Sequence, residues 1–165
     1  MNALVVEYNT SLCELTPSSS PLRGKQMSEV AEWNRGVVDE FRANQGKLGG
    51  QFEGAPLLLL TTIGAKSGAK RVSPVMYMAL DDSYAVFATF AGAPTNPAWY
   101  HNLVAHPGAT IEVGDQTIEV TARVAAGEEH YRIWTAQKLV APGMADYETK
   151  TDRIIPVVVL ERRAP

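Results

Sequence analysis

A short cationic turn is the part of this sequence best suited to chemistry. Residues 64–71 read Gly-Ala-Lys-Ser-Gly-Ala-Lys-Arg and lie between an apolar run that ends at Leu60 and a strand-like run that begins at Val72. Two glycines allow the backbone to bend and approach a ligand, while three cations and a hydroxyl offer charge and hydrogen bonds to an anion. The pattern predicts a strand, an anion-binding turn and a second strand. An ordinary hairpin with solvated lysines is the alternative that this segment leaves open.

Two enzyme classes that use similar residues do not fit the pattern. A nucleotide-binding P-loop needs Gly-Lys-Ser/Thr at the start of a helix, whereas Lys66 follows Ala65 and Pro74 opposes a helix after the turn. A serine hydrolase would need a nucleophile elbow, and neither Ser67 nor Ser73 lies in a Gly-x-Ser-x-Gly motif. The turn therefore predicts anion binding without ATP hydrolysis or acyl transfer.

Length, net charge, and the number and spacing of cysteines and histidines exclude several further classes of function. The chain has 165 residues, enough for one domain with a hydrophobic core, and its formal net charge of −3 argues against nucleic acid as a partner. Cys13 is the only cysteine, which excludes an internal disulfide and, without a secretory segment, favours a cytoplasmic location. His101 and His106 stand five residues apart on a predicted helix with no acidic partner at ligand spacing. We therefore predict no metal site.

The first 27 residues differ in character from the rest. A Pro/Ser-rich run at 16–21 predicts a flexible N-terminal extension over residues 1–27, followed by one domain over residues 28–165.

An amphipathic helix opens the predicted domain. Ser28 is its candidate N-cap, Trp33 and Phe41 lie on its apolar face, and the helix is expected to end near Gly46. We expect the apolar face to pack on the domain. Contact with a membrane through residues 28–45, which would make the protein peripheral, is a less favoured alternative because acidic side chains balance the basic ones.

Short strands separated by turn signals make up most of the remainder. Asp81-Asp82 and Gly114-Asp115 are natural hairpin tips, and Asn96 is a candidate N-cap with Pro97 in the first helical position. We predict strands at 56–63, 70–80, 83–90, 109–113, 116–124 and 156–161, and helices at 97–105 and 128–140. This density of short strands predicts an α+β fold dominated by a small antiparallel barrel.

Three segments together resemble one protein family. They are residues 54–71, residues 92–103 with the run Asn-Pro-Ala-Trp-Tyr-His-Asn-Leu, and residues 146–161 with the run Thr-Asp-Arg-Ile-Ile-Pro. The chain resembles the deazaflavin-dependent nitroreductase family, whose members are split β-barrel proteins that bind the 5-deazaflavin coenzyme F420. The resemblance runs from about Ser28 to the end of the chain.

The resemblance implies where the coenzyme would bind. Its phosphate would lie at the cationic turn, and its ring would lie along one strand and face a segment of small residues. Phe90 stands where relatives often carry a cation for the acidic tail of the coenzyme. Trp99 also counts as a coenzyme-contacting candidate, although packing in the core is its favoured role. The other implied coenzyme-binding residues are Gly64, Lys66, Ser67, Gly68 and Arg71 at the turn, Pro74, Val75 and Met76 on the strand, and Ala88, Thr89, Ala91 and Gly92 opposite.

The resemblance also implies a substrate pocket near residues 141–147. Ala141 and Met144 replace tyrosines of well-studied relatives, which favours flat hydrophobic acceptors over bulky nitroimidazoles. Tyr147 is the candidate hydrogen-bond donor to the substrate, with closure of the core as an equal alternative.

The resulting prediction is a reductase that transfers a hydride from reduced F420 to a conjugated acceptor such as a quinone, an enone or a nitro compound. An oxidoreductase of the same FMN-binding-like barrel that uses flavin mononucleotide, and a non-catalytic F420 carrier, remain alternatives. The oligomeric state stays open, with a homodimer as one candidate.

Overall fold

A computed structural model describes residues 21–164, with side chains described in 32–50, 52–90 and 92–164. Its elements follow the chain as α1 (Pro21–Ala43), β1 (Leu57–Ile63), β2 (Lys70–Ala79), β3 (Ser83–Phe87), α2 (Ala98–Ala105), β4 (Gly108–Val113), β5 (Gln116–Val124), α3 (Gly127–Val140), α4 (Met144–Lys150) and β6 (Val157–Arg162). Short 3-10 turns lie at Gly50–Phe52 and Phe90–Gly92.

The six strands form a closed antiparallel barrel in the order β1-β2-β3-β6-β5-β4, which confirms the predicted α+β barrel class. Hairpins join β1 to β2, β2 to β3, and β4 to β5, and their registers follow the predicted turns. β6 enters between β3 and β5, so the C-terminal strand closes the barrel.

Both faces of β1 are buried, which explains its uninterrupted run of leucines. Leu58 and Leu60 point into the barrel and pack with Val120 and other interior residues. Leu57 and Leu59 point outward and pack under α1, against Phe41 and its neighbours. The prediction that the apolar face of the N-terminal helix packs on the domain is confirmed for the side chains that the structure describes.

Helices α3 and α4 cover a second outer face of the barrel. Phe87 and Val157 present their side chains there, and they pack with Trp134 of α3 and with Met144 and Tyr147 of α4. This layer makes α4 part of the folded core, although the sequence pattern predicts no helix at this position.

The N-terminal helix differs from the prediction at both of its ends. It begins at Pro21, not at Ser28, and ends at Ala43. Proline fits the first turn of a helix because its missing N–H would have no partner there, and the residues that follow it are mostly good helix formers. α1 spans the predicted boundary between residues 27 and 28, and the division into an extension over residues 1–27 and a domain over residues 28–165 stays a prediction. Residues 1–20 lie outside the described part of the chain, so a flexible extension there stays a prediction.

Two further predicted boundaries shift. β3 ends at Phe87, because the chain then leaves the sheet and turns at Phe90–Gly92. α2 is capped by Pro97 and begins at Ala98, while Asn96 makes no side-chain cap hydrogen bond. Across residues 21–164, no helix is both long and apolar enough to span a membrane.

Candidate functional site

The cationic turn and the 88–96 segment, which hold most of the predicted coenzyme-binding residues, lie at one end of the barrel. β1, β3 and β5 finish at this end, and β2, β4 and β6 begin there, because neighbouring strands are antiparallel. The cationic turn (residues 64–71), the 88–96 segment after β3, and the chain before β6 therefore lie at the same end. The prediction that the turn and the segment share one site is consistent with this topology.

The backbone of the cationic turn is closed by its own hydrogen bonds. Gly64 N–H donates to Ala69 O at 2.8 Å, and Gly68 N–H donates to Gly64 O at 2.9 Å. Gly68 adopts a φ of +69°, which favours glycine, and a Cβ at Gly64 would overlap the Ser67 hydroxyl. Ser67 Oγ accepts a hydrogen bond from Ala69 N–H at 3.2 Å, which leaves the hydroxyl proton to donate elsewhere.

A buried asparagine of α2 anchors the turn to the barrel. Asn102 Oδ1 accepts a hydrogen bond from Ala65 N–H at 3.0 Å, and Asn102 Nδ2 donates to Thr62 Oγ1 at 3.1 Å. Sequence reasoning missed this residue. A polar side chain on the buried face of an otherwise apolar short helix was the signal that could have revealed it.

The cations of the turn have no carboxylate partner. Lys66, Lys70 and Arg71 are exposed, and none of them forms an ion pair with any residue that the structure describes. Like-charged side chains held this close repel one another, and an anion would relieve the repulsion. The turn is therefore a concentration of uncompensated positive charge on an acidic protein.

Beside the turn, one edge of β2 is open. β2 pairs with β3 only from Tyr77 to Ala79, whereas its residues 70–76 pair with β1 alone. Tyr77 N–H donates to Pro56 O at 3.0 Å, and hydrogen-bonded pairs alternate along antiparallel strands.

This alternation directs the backbone polar groups of Val72, Pro74 and Met76 away from β1, toward the open edge. Proline costs nothing there, since it has no N–H to leave without a partner. The side chain of Val75 points into the barrel core instead.

Small buried residues of the 88–96 segment follow the end of β3. Ala88 and Thr89 are fully buried and Gly92 is buried, whereas the side chain of Ala91 lies outside the described residues. Thr89 Oγ1 is buried and has no hydrogen-bond partner within the described structure. Leaving such a hydroxyl unpaired costs about 1–3 kcal/mol, so a ligand that accepts its proton would be favoured.

Arg153 holds this segment in place. Its Nε donates to Ala93 O at 2.8 Å, its Nη1 to Asn96 Oδ1 at 2.7 Å, and its Nη2 to Thr89 O at 2.9 Å and Ala88 O at 3.1 Å. Asn96, predicted as a helix cap, thus serves as an acceptor for Arg153.

These residues fit a coenzyme that carries both a phosphate and a flat polar ring. The uncompensated turn suits the phosphate, and the open edge of β2 with the unpaired Thr89 hydroxyl suits the polar rim of a ring.

A sequence model of the F420H(2)-dependent quinone reductase family matches residues 33–162. This chain belongs to that family.

Individual relatives agree with the family. An F420H(2)-dependent quinone reductase of Mycobacterium tuberculosis (strain ATCC 25618 / H37Rv) is 38% identical over 127 residues, which cover 74% of this chain and 85% of the relative. A solved structure described as an F420-H2 dependent reductase is 42% identical, has a TM-score of 0.60, and covers 64% of this chain and 94% of its own. The predicted resemblance is confirmed.

A more distant likeness concerns the fold alone. HutZ of Vibrio cholerae, described as a heme storage protein, is 13% identical, with a TM-score of 0.52 over 80% of this chain and 92% of its own.

The predicted substrate-pocket residues are mostly buried in this member of the quinone reductase family. Met144 and Tyr147 are 3% and 2% exposed and pack in the core between α4 and the barrel, and Ala141 packs at the edge of the same cluster. Trp99 is also buried and packs with the barrel interior, the role favoured for it from the sequence. Burial favours packing over a direct substrate contact for Tyr147.

No group of three His, Cys, Asp or Glu side chains able to hold a metal ion occurs among residues of the described structure.

Tyr77, which ends the pairing of β2 with β3, is half-buried, and burial together with the nearby Tyr84 raises the pKa of its phenol. This ring therefore stays neutral at physiological pH.

Proposed function

We propose that this protein transfers a hydride from F420H2 to a quinone. The observation that carries the proposal is the cationic turn, where Lys66, Lys70 and Arg71 have no carboxylate partner in the described structure and adjoin the open edge of β2. Membership of the F420H(2)-dependent quinone reductase family supports the identity of the coenzyme and the class of the acceptor.

The turn residues would hold the phosphate of the coenzyme. Lys66 offers a point charge and Arg71 a planar fork, and the Ser67 hydroxyl still has its proton to donate. Gly68 supplies the positive φ of the turn, and Gly64 leaves room for the Ser67 hydroxyl. Together they bind and orient an anion without any proton transfer.

The open edge and the 88–96 segment would hold the ring. Backbone groups of Val72 and Met76 face the edge, and the buried hydroxyl of Thr89, in the segment that follows β3, has no hydrogen-bond partner in the described structure. The bound reduced coenzyme supplies the hydride. The protein therefore needs to position two reactants and exclude water, and no nucleophile or general base is required of its side chains.

Quinones are proposed as the acceptors over bulky nitroimidazoles. The family description names quinones, and it alone carries this choice, because Met144 is buried in the core and Ala141 packs at the edge of the same cluster. Enones and small nitro compounds are further acceptors that the same chemistry would serve.

Titration of the purified protein with F420 and with flavin mononucleotide, followed by fluorescence, tests the proposal. We expect tight binding of F420 that weakens as salt is raised, because the phosphate contacts are exposed. Steady-state reduction of a small quinone by F420H2 should follow. Binding of flavin mononucleotide alone would contradict the proposal, and F420 binding without turnover of any acceptor would make the protein a carrier.

A homodimer and a cytoplasmic location stay predictions. One solved structure, 34% identical with a TM-score of 0.62 over 81% of this chain and 98% of its own, is described as a domain-swapped dimer, which supports the first. Light scattering on the full chain measures the oligomeric state.

A further inference from the structure

We infer that Arg153 is a positioning residue that holds the 88–96 segment in its coenzyme-binding shape, and that Thr89 is the side chain it places. The inference rests on the proposed function for the identity of the ligand. That Arg153 holds the segment in shape follows from its hydrogen bonds, whatever the ligand is.

The guanidinium spans the segment from one end to the other. Its nitrogens donate to the carbonyl oxygens of Ala88, Thr89 and Ala93 and to the side chain of Asn96, at 2.7–3.1 Å. All of these acceptors are neutral, and three of them are backbone oxygens, so the group fixes main-chain shape. A lysine ammonium has one nitrogen and could not reach both ends of this set.

The segment lies outside the sheet, and its own backbone hydrogen bonds close only a short 3-10 turn: Gly92 N–H donates to Thr89 O and Ala93 N–H donates to Phe90 O, each at 2.9 Å. After Ala88 N–H donates to Pro156 O at 3.0 Å, the chain leaves the sheet. Phe90 then adopts a φ of +47° and Gly92 a φ of +78°. A left-handed conformation costs energy for a bulky residue such as phenylalanine, and it persists only where surrounding contacts over-determine it.

A second contact supports the same segment from α4. A Cβ added at Gly92 would lie 2.7 Å from Lys150 Cβ, so the turn and the end of α4 are packed against each other. Arg153 follows α4 by three residues, so α4 and the guanidinium contact the same segment from adjacent parts of the chain. The buried Tyr147 thus contributes to the site by fixing α4.

Thr89 is the residue whose function depends on this support. Arg153 Nη2 holds the Thr89 carbonyl at 2.9 Å, while the Thr89 hydroxyl is fully buried without a partner in the described structure. Fixing the carbonyl holds the backbone of Thr89, and with it the direction of the Cα–Cβ bond that carries the hydroxyl. Thr89 Oγ1 is then available as a donor to the ring of the coenzyme.

Arg153→Lys and Thr89→Val, alone and together, test the inference. Arg132→Lys is the matched control, because Arg132 is exposed and forms no hydrogen bond or ion pair in the described structure. We expect Arg153→Lys to raise the Kd for F420 about tenfold or more, and Thr89→Val to raise it about fivefold in the wild-type background but less than about twofold in the Arg153→Lys background. The control should change the Kd less than about twofold.

Hydrogen exchange of the coenzyme-free protein gives a second readout. Arg153→Lys should speed amide exchange in residues 88–96 and leave exchange in the barrel strands unchanged. Unchanged exchange in this segment, or a Thr89→Val effect equal in both backgrounds, would overturn the inference. A wild-type protein that does not bind F420 would overturn the proposed function and the role of Thr89, and exchange would still decide whether Arg153 holds the segment.

Discussion

Asn102 accepts a hydrogen bond from the backbone N–H of Ala65 at 3.0 Å, so helix α2 and the cationic turn are held as one unit. The same side chain donates to Thr62 Oγ1 at the end of β1. A single buried amide therefore connects helix α2, strand β1 and the cationic turn.

Asn102→Ala should lower both stability and coenzyme affinity. The substitution leaves the fully buried Thr62 hydroxyl and the Ala65 N–H without this partner, which costs about 1–3 kcal/mol of unfolding free energy. Urea unfolding measures the stability, and F420 fluorescence measures the affinity. Loss of stability with an unchanged Kd would mean that the turn keeps its shape without the anchor.

Lys66→Ala should weaken F420 binding by roughly 10- to 150-fold, because it removes a charge-assisted hydrogen bond worth about 1.5–3 kcal/mol. Folding should be nearly unaffected, since Lys66 is exposed. Lys47→Ala is the control, as Lys47 is an exposed lysine outside the turn that also lacks an ion pair in the described structure.

Arg71→Lys should also weaken binding, because a planar fork becomes a point charge. Equal affinity would place Arg71 outside the phosphate site. A drop in the Tm of Lys66→Ala with an unchanged Kd would assign Lys66 a structural role.

Gly92→Ala should destabilise the protein more than Gly54→Ala. Both glycines have positive φ, +78° and +74°, but a Cβ at Gly92 meets Lys150 whereas a Cβ at Gly54 meets nothing within 4 Å. An alanine in the left-handed conformation costs each variant about 1–2 kcal/mol. The difference between the unfolding free energies of the two variants therefore measures the contact of residue 92 with α4. Equal losses in the two variants would show that the contact relaxes without cost.

Tyr147→Ala should destabilise the protein by about 3–5 kcal/mol, since it opens a cavity in the cluster that joins α4 to the barrel. Tyr147→Phe should keep kcat/KM for a small quinone within about twofold, because the ring is 2% exposed and serves packing. If Tyr147→Phe instead lowered kcat/KM with the coenzyme Kd intact, the hydroxyl would be the substrate donor predicted from the sequence.

Stability should fall in acid partly through Glu129. Hydrogen bonds from Arg123 lower the pKa of this carboxyl, with burial opposing the change. Because the folded pKa lies below the unfolded value of about 4.3, the pair stabilises the fold above that pH, and the contribution is lost as pH falls through the folded pKa.

Glu129→Gln should therefore lower stability at about pH 7, and by a smaller amount at about pH 3. Glu128→Gln, at an exposed neighbour without an ion pair in the described structure, is the control. Urea unfolding at both pH values measures the difference. An equal gap between Glu129→Gln and wild type at the two pH values would contradict the linkage.

The barrel and the cationic turn could be predicted from the sequence because their signals are local. Gly64, Gly68 and the adjacent cations stand together in the chain, and period-two alternation with turn residues such as Gly114 marks the strands. These features depend on neighbouring residues and need no knowledge of the rest of the fold.

The support of the coenzyme-facing segment was decided by tertiary structure. α4 is a short helix whose stability comes from burying Met144 and Tyr147, so its sequence carries little helical signal of its own. Arg153 and Asn102 act on residues distant in the chain. The open edge of β2 exists because β3 ends at Phe87 and the chain that follows does not pair with residues 70–76. Such long-range pairings depend on how packed elements meet in space, which no local pattern of residues encodes.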